Sequence, residues 1–312
     1  MPFEKSFFQG ETICDFYVPP MMKRVWAGQL DMLQVIDTLC RAAGIRYYAA
    51  YGTLLGAVRH HGFIPWDDDI DLWMFRDDLM RFAELAEQIL PQYGLELITP
   101  YNEPDYNNPI FGVFNGRHTD LSEERLSKYY GCPFSMRIDL FALDNLPEDE
   151  ELIMEKFRLS KEAWELAEIW EDPLVSSAQK QLRLRILTEA VGYELIEEIP
   201  VKQQLSMLCD LVTASDGLDE SEYVANVQAF RYNPKTRFRR EWFGEPVYLE
   251  FEGRKIPAPA DYDAVLRMIY KDYMTPVKGK SVHGYPFYKE QMEDLHRAFR
   301  DKGMEIPEIF RE

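Results

Sequence analysis

A single run near the front of the chain constrains it most: Tyr51-Gly-Thr-Leu-Leu-Gly-Ala-Val-Arg-His-His-Gly-Phe-Ile-Pro-Trp-Asp-Asp-Asp-Ile-Asp71. Asp67, Asp69 and Asp71 alternate, and on a β-strand alternating side chains share one face. Carboxylates held side by side repel one another and resist burial. A divalent cation removes that cost, and oxygen donors suit Mg²⁺ or Mn²⁺. Gly52 lets the backbone approach a ligand closely. The amides of Thr53 and Leu54 are expected to open a helix, and a helix N-terminus favours phosphate. Together these features point to metal-assisted chemistry on a phosphate ester.

The flanking pattern predicts a mixed α/β (α+β) core. Residues 24–43 place Trp26, Leu30, Leu33, Ile36 and Leu39 at helical spacing, with Gly44 to end the helix. Residues 45–50 read as a strand, 53–59 as a short helix, 69–74 as a second strand and 76–90 as a helix. Segments 95–99, 110–114 and 136–143 are further strands, the last containing Asp139. Beyond Pro147 the segments 149–172, 177–198 and 201–214 read as helices, rich in Glu, Leu and Lys. Strand-like composition returns at 222–230 and 247–251, and helices at 261–273 and 286–300. The first 20 residues read as an irregular arm. We therefore expect a core over residues 1–148, a helical insertion or subdomain over 149–215, and a C-terminal part, 216–312, that completes the core and the substrate cleft.

The bulk composition narrows the partners. The chain has 312 residues, 46% of them hydrophobic, which allows a sizeable core in one large or two modest domains. A formal net charge of −19 argues against general binding to nucleic acid or anionic lipid, which favours basic surfaces. Cys14, Cys40, Cys132 and Cys209 form no Cys-x-x-Cys pair and have no His at zinc-finger spacing, so reduced thiols are expected. No stretch approaches the ~18 apolar residues of a membrane span. No basic segment followed by an apolar run opens the chain, and a cytoplasmic location is expected.

Phosphoryl and nucleotidyl transfer depend on positioning and charge neutralisation. Asp69-Ile70-Asp71 can chelate from one strand face, and Asp139 is the best third acid, as a metal ligand or as base towards the attacking hydroxyl. Arg59 suits bidentate phosphate binding. His60 is a candidate acid or base, against an equal case for a structural histidine. Arg231, Lys235, Arg237, Arg239 and Arg240 form a basic run that could meet a diphosphate or an anionic glycan, against a solvated strand or loop that offsets nearby acids. Tyr101, Tyr106, Tyr129 and Tyr285 are candidates for an aromatic cage around a choline head group, although packing accounts for most such residues.

The stretch from Tyr47 to Met74, with Gly-Thr-Leu-Leu-Gly-Ala-Val-Arg and Phe-Ile-Pro-Trp-Asp-Asp-Asp-Ile-Asp, resembles the LicD family of the nucleotidyltransferase-fold superfamily, which includes the fukutin-like enzymes. Arg137-Ile-Asp-Leu-Phe-Ala-Leu-Asp144 resembles the family's second acidic strand. The stretches from Phe251 to Asp263 and from Tyr270 to Met274 resemble its C-terminal motif. The resemblance covers residues 25–145 and 245–290, and not the middle helices. Tyr51 and Lys271 depart from the residues frequent at those motif positions, away from the acids. The resemblance implies a nucleotidyltransferase-like mixed sheet with flanking helices. It also implies a phosphotransferase that moves phosphocholine or a related phospho-alcohol from a CDP-linked donor such as CDP-choline. The acceptor would be a glycan or lipid-linked glycan, as in lipopolysaccharide or teichoic acid, with peripheral membrane contact where the acceptor is lipid-linked. Asp67, Asp69, Asp71 and Asp139 would form the metal site, with Asp69, Asp71 and Asp139 catalytic. Gly52, Thr53, Leu54, Arg59 and His60 would hold the donor. Two other activities stay open: release of pyrophosphate from an NTP by a nucleotidyltransferase, and non-catalytic nucleotide or metal binding that regulates glycan assembly.

Overall fold

The computed structural model describes residues 3–104, 106, 108–214, 221–277 and 284–311. The N-terminal arm is more ordered than its composition predicts. It holds a 3-10 turn at Lys5–Phe8 and a hairpin of β1 (Glu11–Ile13) and β2 (Phe16–Val18), whose turn at Cys14 and Asp15 adopts positive φ. Helix α1 (Pro20–Ala43) begins earlier than the apolar spacing alone indicates, because Pro20 occupies its first position, where the missing N–H costs nothing. It ends where Gly44 takes the left-handed conformation at φ 64°. Its buried stripe includes Met22, Trp26, Leu30, Leu33, Ile36 and Cys40.

Strand β3 is only Tyr48–Ala49, shorter than the apolar run 45–50, because α2 (Tyr51–Arg59) starts at once. Strand β4 (Ile70–Phe75) pairs antiparallel with β3 and runs into α3 (Arg76–Ile89). Strands β5 (Glu96–Ile98) and β6 (Phe111–Phe114) follow, then the short α4 (Glu123–Lys128) and β7 (Arg137–Asn145). β7 pairs parallel with β4 and antiparallel with β6, so the sheet runs β3-β4-β7-β6-β5. Every residue of β7 between its two ends is buried, as expected of a central strand covered on both faces.

Helices α5 (Glu150–Ile169), α6 (Ser177–Val191) and α7 (Val201–Ala214) occupy the segments expected to be helical. Asp149 caps α5 by accepting from the amides of Glu151 and Leu152. Ala163, Leu184, Leu205 and Cys209 from these helices belong to the same apolar core as the sheet. The boundary expected at 215/216 falls outside the described residues. The segment 222–230 is not one strand. β8 (Tyr223–Ala225) pairs with the last residues of β7, and Asn226 then caps α8 (Val227–Tyr232) by accepting from the amides of Gln228 and Ala229. β9 (Phe238–Arg239) pairs with β8.

β10 (Val247–Phe251) and β11 (Arg254–Ala258) form a hairpin through Glu252 and Gly253, both at positive φ, which matches the right-handed strand twist. Helices α9 (Tyr262–Tyr270) and α10 (Lys289–Asp301) close the fold. Among the described residues no helix is long and apolar enough to cross a membrane. Cys40, Cys132 and Cys209 are buried free thiols, and Cys14 is exposed.

One ion network ties the middle helices to the sheet. Arg76, directly after β4, donates to both oxygens of Asp144 on β7 at 2.7 and 2.9 Å. It also donates to both oxygens of Asp210 on α7 at 2.9 and 3.1 Å. The Tyr101 hydroxyl donates to Asp210 at 2.7 Å. Removing the guanidinium leaves two buried carboxylates facing each other. Arg76→Met is expected to destabilise the fold by about 3–5 kcal/mol, read as a lower urea midpoint with an unchanged m value.

Candidate active site

The site is built where α2 meets β4. The Asp71 N–H donates to the Thr53 hydroxyl at 2.9 Å, and the Ala50 N–H donates to the Asp71 carbonyl at 2.9 Å. Thr53 is thus a structural link as well as part of the turn. Tyr51, the first helical residue, sits at φ 39°, a left-handed conformation that costs a non-glycine residue about 1–3 kcal/mol. Its ring packs on Trp73 and Phe141, and its hydroxyl donates to Asn226 at 2.6 Å. Asn226 in turn donates to the Ala142 carbonyl. Because the helix begins at Tyr51 and not at Thr53, the Leu54 amide bonds to the Ala50 carbonyl and its side chain lies in the core. Leu54 therefore departs from its expected place in phosphate binding. The amides of the first helical turn, from Tyr51 to Thr53, lie in its stead at the N-terminal end of the helix.

The acids differ from the expected single strand face. The strand starts at Ile70, so Asp67, Asp68 and Asp69 lie in the irregular segment before it, and only Asp71 is on β4. Each of Asp67, Asp68 and Asp69 can offer one carboxylate oxygen such that the three lie within 4.8 Å of one another. Asp68 was missed because strand alternation points it to the opposite face. Irregular backbone lets consecutive carboxylates converge, and the unbroken Asp67-Asp68-Asp69 run was the available signal.

Asp71 stands opposite Asp139 of β7 in the parallel register, and Asp139 is 6% exposed. The acids thus gather at the start of the two central strands, not at an edge of the sheet. Burial, then the charges of Asp69, Asp139 and Asp67, push the Asp71 carboxyl well above the usual range, with Arg137 opposing. Arg137 donates to Asp139 at 2.6 Å. It too was missing from the expected set, although it lies two residues away in the same strand.

The acidic segment is clamped from several sides. Trp26 Nε1 donates to the Asp67 carbonyl at 3.2 Å and Gln29 Nε2 to the Asp68 carbonyl at 2.9 Å. The Phe287 N–H donates to the Asp68 carboxylate at 2.6 Å. A Cβ placed on Gly52 would stand 2.1 Å from Asp67 Oδ2, so glycine is what lets the turn and the acid meet. The all-oxygen donor set of Asp67–Asp69, beside a buried carboxyl that resists ionisation, fits a hard divalent cation.

The other expected residues divide. Arg59 closes α2 and donates to the Tyr273 carbonyl at 2.8 Å. Burial, the Arg59 charge and His61 lower His60 to about 4, so at neutral pH it is uncharged. Tyr270, which opens the second stretch of the C-terminal motif but is absent from the expected site residues, has its hydroxyl pushed up by burial and by Asp67, Asp71 and Asp69. The four arginines of the basic run are engaged within the fold, while Lys235 is exposed: Arg231 pairs with Glu168, Arg237 with Glu150, and Arg239 with Glu222 and Glu241. Arg240 donates to the Ser221 carbonyl. The four tyrosines do not form a common cage. Tyr101 serves Asp210, Tyr106 donates to the Ile110 carbonyl, and Tyr129 is buried beside Arg125. Tyr285 reaches the loop before the acids, at the Pro65 carbonyl, and Tyr106 lies close enough to Arg137 and Asp139 to feel their charges.

A mixed sheet whose central strands begin with carboxylates, beside a glycine turn opening a helix, defines a nucleotidyltransferase-like core. Residues 44–107 match the family model described as LicD/FKTN/FKRP, nucleotidyltransferase domain. The chain is 30% identical over 256 residues to the Haemophilus influenzae lipopolysaccharide cholinephosphotransferase LicD, across 78% of this chain and 88% of that protein. It is 53% identical over 85 residues to human ribitol 5-phosphate transferase FKRP, across 26% of this chain and 17% of that protein. The chain belongs to the LicD family.

Two outcomes follow from this geometry. Gly52→Ala displaces Asp67 and is expected to weaken Mn²⁺ binding at least ~10-fold, measured by the free-Mn²⁺ signal in electron paramagnetic resonance. His60 is depressed from 6.5 to about 4, so protonation favours the unfolded chain. Its contribution to stability is complete above pH 6.5 and is lost as pH falls towards 4. Urea midpoints of His60→Asn should therefore fall less over that window than those of the unaltered protein.

Proposed function

We propose that this chain is a metal-dependent phosphotransferase that moves phosphocholine or a related phospho-alcohol from a CDP-linked donor to a hydroxyl of a cell-surface glycan precursor. The observation that carries this reading is the direct bond between turn and acid strand. Thr53 and Asp71 are joined at 2.9 Å, beside three converging carboxylates, in a chain of the LicD family. The names of its relatives, a lipopolysaccharide cholinephosphotransferase and a ribitol 5-phosphate transferase, support a phospho-alcohol as the group moved.

In this mechanism the amides of the first turn of α2 receive the donor diphosphate, with Arg59 at the far end of that helix. Asp67, Asp68, Asp69 and Asp71 would hold Mg²⁺ or Mn²⁺, which when bound would offset the charge on the diphosphate. Asp139, fixed by Arg137, accepts the proton of the attacking hydroxyl. The hydroxyl oxygen forms a bond to the phosphorus bearing the alcohol. The bond from that phosphorus to the bridging oxygen breaks, and CMP leaves.

The test is product analysis with purified protein, Mg²⁺ or Mn²⁺, and CDP-choline, CDP-ethanolamine, CDP-glycerol, CDP-ribitol or CTP, each with glycan acceptors. CMP release from one CDP-alcohol, lost at least ~10²–10³-fold in Asp69→Asn and Asp71→Asn with unchanged melting, is the expected result. Pyrophosphate release from CTP would make the chain a nucleotidyltransferase. Nucleotide binding without turnover of any donor would make it a regulator.

A further inference from the structure

A groove of about 1170 Å³ opens beside the acidic segment. Tyr17 and Arg24 line it from the arm and α1, Tyr285, Tyr288 and Glu293 from the approach to α10 and α10 itself, and Ile309 from the C-terminal tail. No residue of α2, β4 or β7 lines it, so it is separate from the turn assigned to the donor diphosphate. It is nevertheless fastened to the acids. Tyr285 donates to the Pro65 carbonyl at 3.4 Å, and the Phe287 amide, one residue from Tyr288, donates to the Asp68 carboxylate at 2.6 Å. The Phe16 ring bridges Tyr285 and Trp66, at 5.2 and 6.0 Å between centroids.

The lining has a specific chemistry. Tyr17 is 60% exposed and offers the open ring face, whereas Tyr288 is 3% exposed and forms the floor, stacked flat against Phe134 at 4.9 Å with an interplanar angle of 1°. Lys289 and Glu293, exposed and one helical turn apart, stand with Arg24 among these rings. A pyranose ring presents a C–H face that packs on an aromatic ring and hydroxyls that both donate and accept. An alkyl chain would leave the charged groups without a role. The lining mixes both signs, Arg24, Lys289 and Arg311 with Glu293 and Glu308, which suits a ligand of hydroxyls better than a second diphosphate.

We propose that this groove is the acceptor subsite and holds sugar residues neighbouring the one that bears the accepting hydroxyl. This rests on the phosphotransferase reading above. The donor then approaches from the α2 side, the acceptor from the α10 side, and the acids stand between them.

The test uses the full chain and the oligosaccharide released from lipopolysaccharide by mild acid. Binding is measured by calorimetry without donor, for the unaltered protein, Tyr17→Ala, Lys289→Ala and the double variant. Binding is expected to weaken at least ~10-fold in the double variant, and in turnover the acceptor KM rises by a similar factor while the donor KM stays within about twofold. Equal binding by all four proteins, or no binding by the unaltered one, overturns the proposal. CMP release from a CDP-alcohol alongside that result would leave the phosphotransferase reading standing. Binding lost in the variants alongside pyrophosphate release from CTP would keep the groove as a glycan site and overturn that reading instead.

Discussion

Both main-chain groups of Asp71 are committed to the turn that opens α2. Its N–H is held by Thr53 and its carbonyl by Ala50. A strand normally spends such groups on its neighbours in the sheet. Here the second residue of β4 spends them on the entrance to a helix, so strand and helix N-terminus cannot shift independently. Gly52 then has to lie against Asp67, and no side chain could stand there. Tyr51 is forced into a left-handed backbone at the junction, and its ring and hydroxyl are fixed by Trp73, Phe141 and Asn226. Strain of this kind persists only where the surroundings over-determine it.

A second constraint comes from far along the chain. Glu252 gives its N–H to the His61 carbonyl and takes the Phe63 N–H on its carboxylate at 3.1 Å. A Cβ on Gly62 would stand 2.2 Å from that carboxylate. The hairpin of β10 and β11 therefore pins the loop between α2 and the acids, while Trp26, Gln29 and Phe287 pin the acids themselves. The C-terminal motif that resembles the family thus acts as a brace for the first motif. Such bracing by remote elements suits a site whose carboxylates repel one another and would otherwise spread.

The sequence made the order of elements and the location of the site legible, because apolar periodicity and the Gly-Thr and Asp runs are local signals. What it hid depends on where a regular element begins. Counting Asp67, Asp69 and Asp71 as one strand face requires the strand to start by Asp67. It starts at Ile70, so the alternation rule excluded Asp68 and grouped Asp71 with residues that reach it from a loop. Similarly, placing the start of α2 at Thr53 made Leu54 a first-turn amide, whereas a start at Tyr51 puts that amide inside the helix. The basic run from Arg231 to Arg240 does offset acids, as one of its two readings expects, but which acids it meets was hidden for another reason. Its partners Glu150, Glu168 and Glu222 lie on other elements or outside the run, and charge complementarity between segments is invisible until they are folded together.

The charge balance at the junction makes a physical demand. Asp67, Asp68, Asp69, Asp71 and Asp139 gather around the start of two strands, and Arg137 bonds directly to Asp139. Arg59 turns its guanidinium to the Tyr273 carbonyl. Bringing a diphosphate to such a place adds anionic charge to an already anionic site, in a chain whose formal net charge is −19. Repulsion of that size is not offset by the partial positive charge of one helix N-terminus, which is equivalent to roughly half an elementary charge. In the reading proposed above, cationic charge is supplied between the acids and the helix end, and the carboxylates of Asp67–Asp69, within 4.8 Å of one another, are spaced to hold it. The raised Asp71 carboxyl records the same imbalance from inside the sheet: without that added charge, the cluster favours keeping a proton.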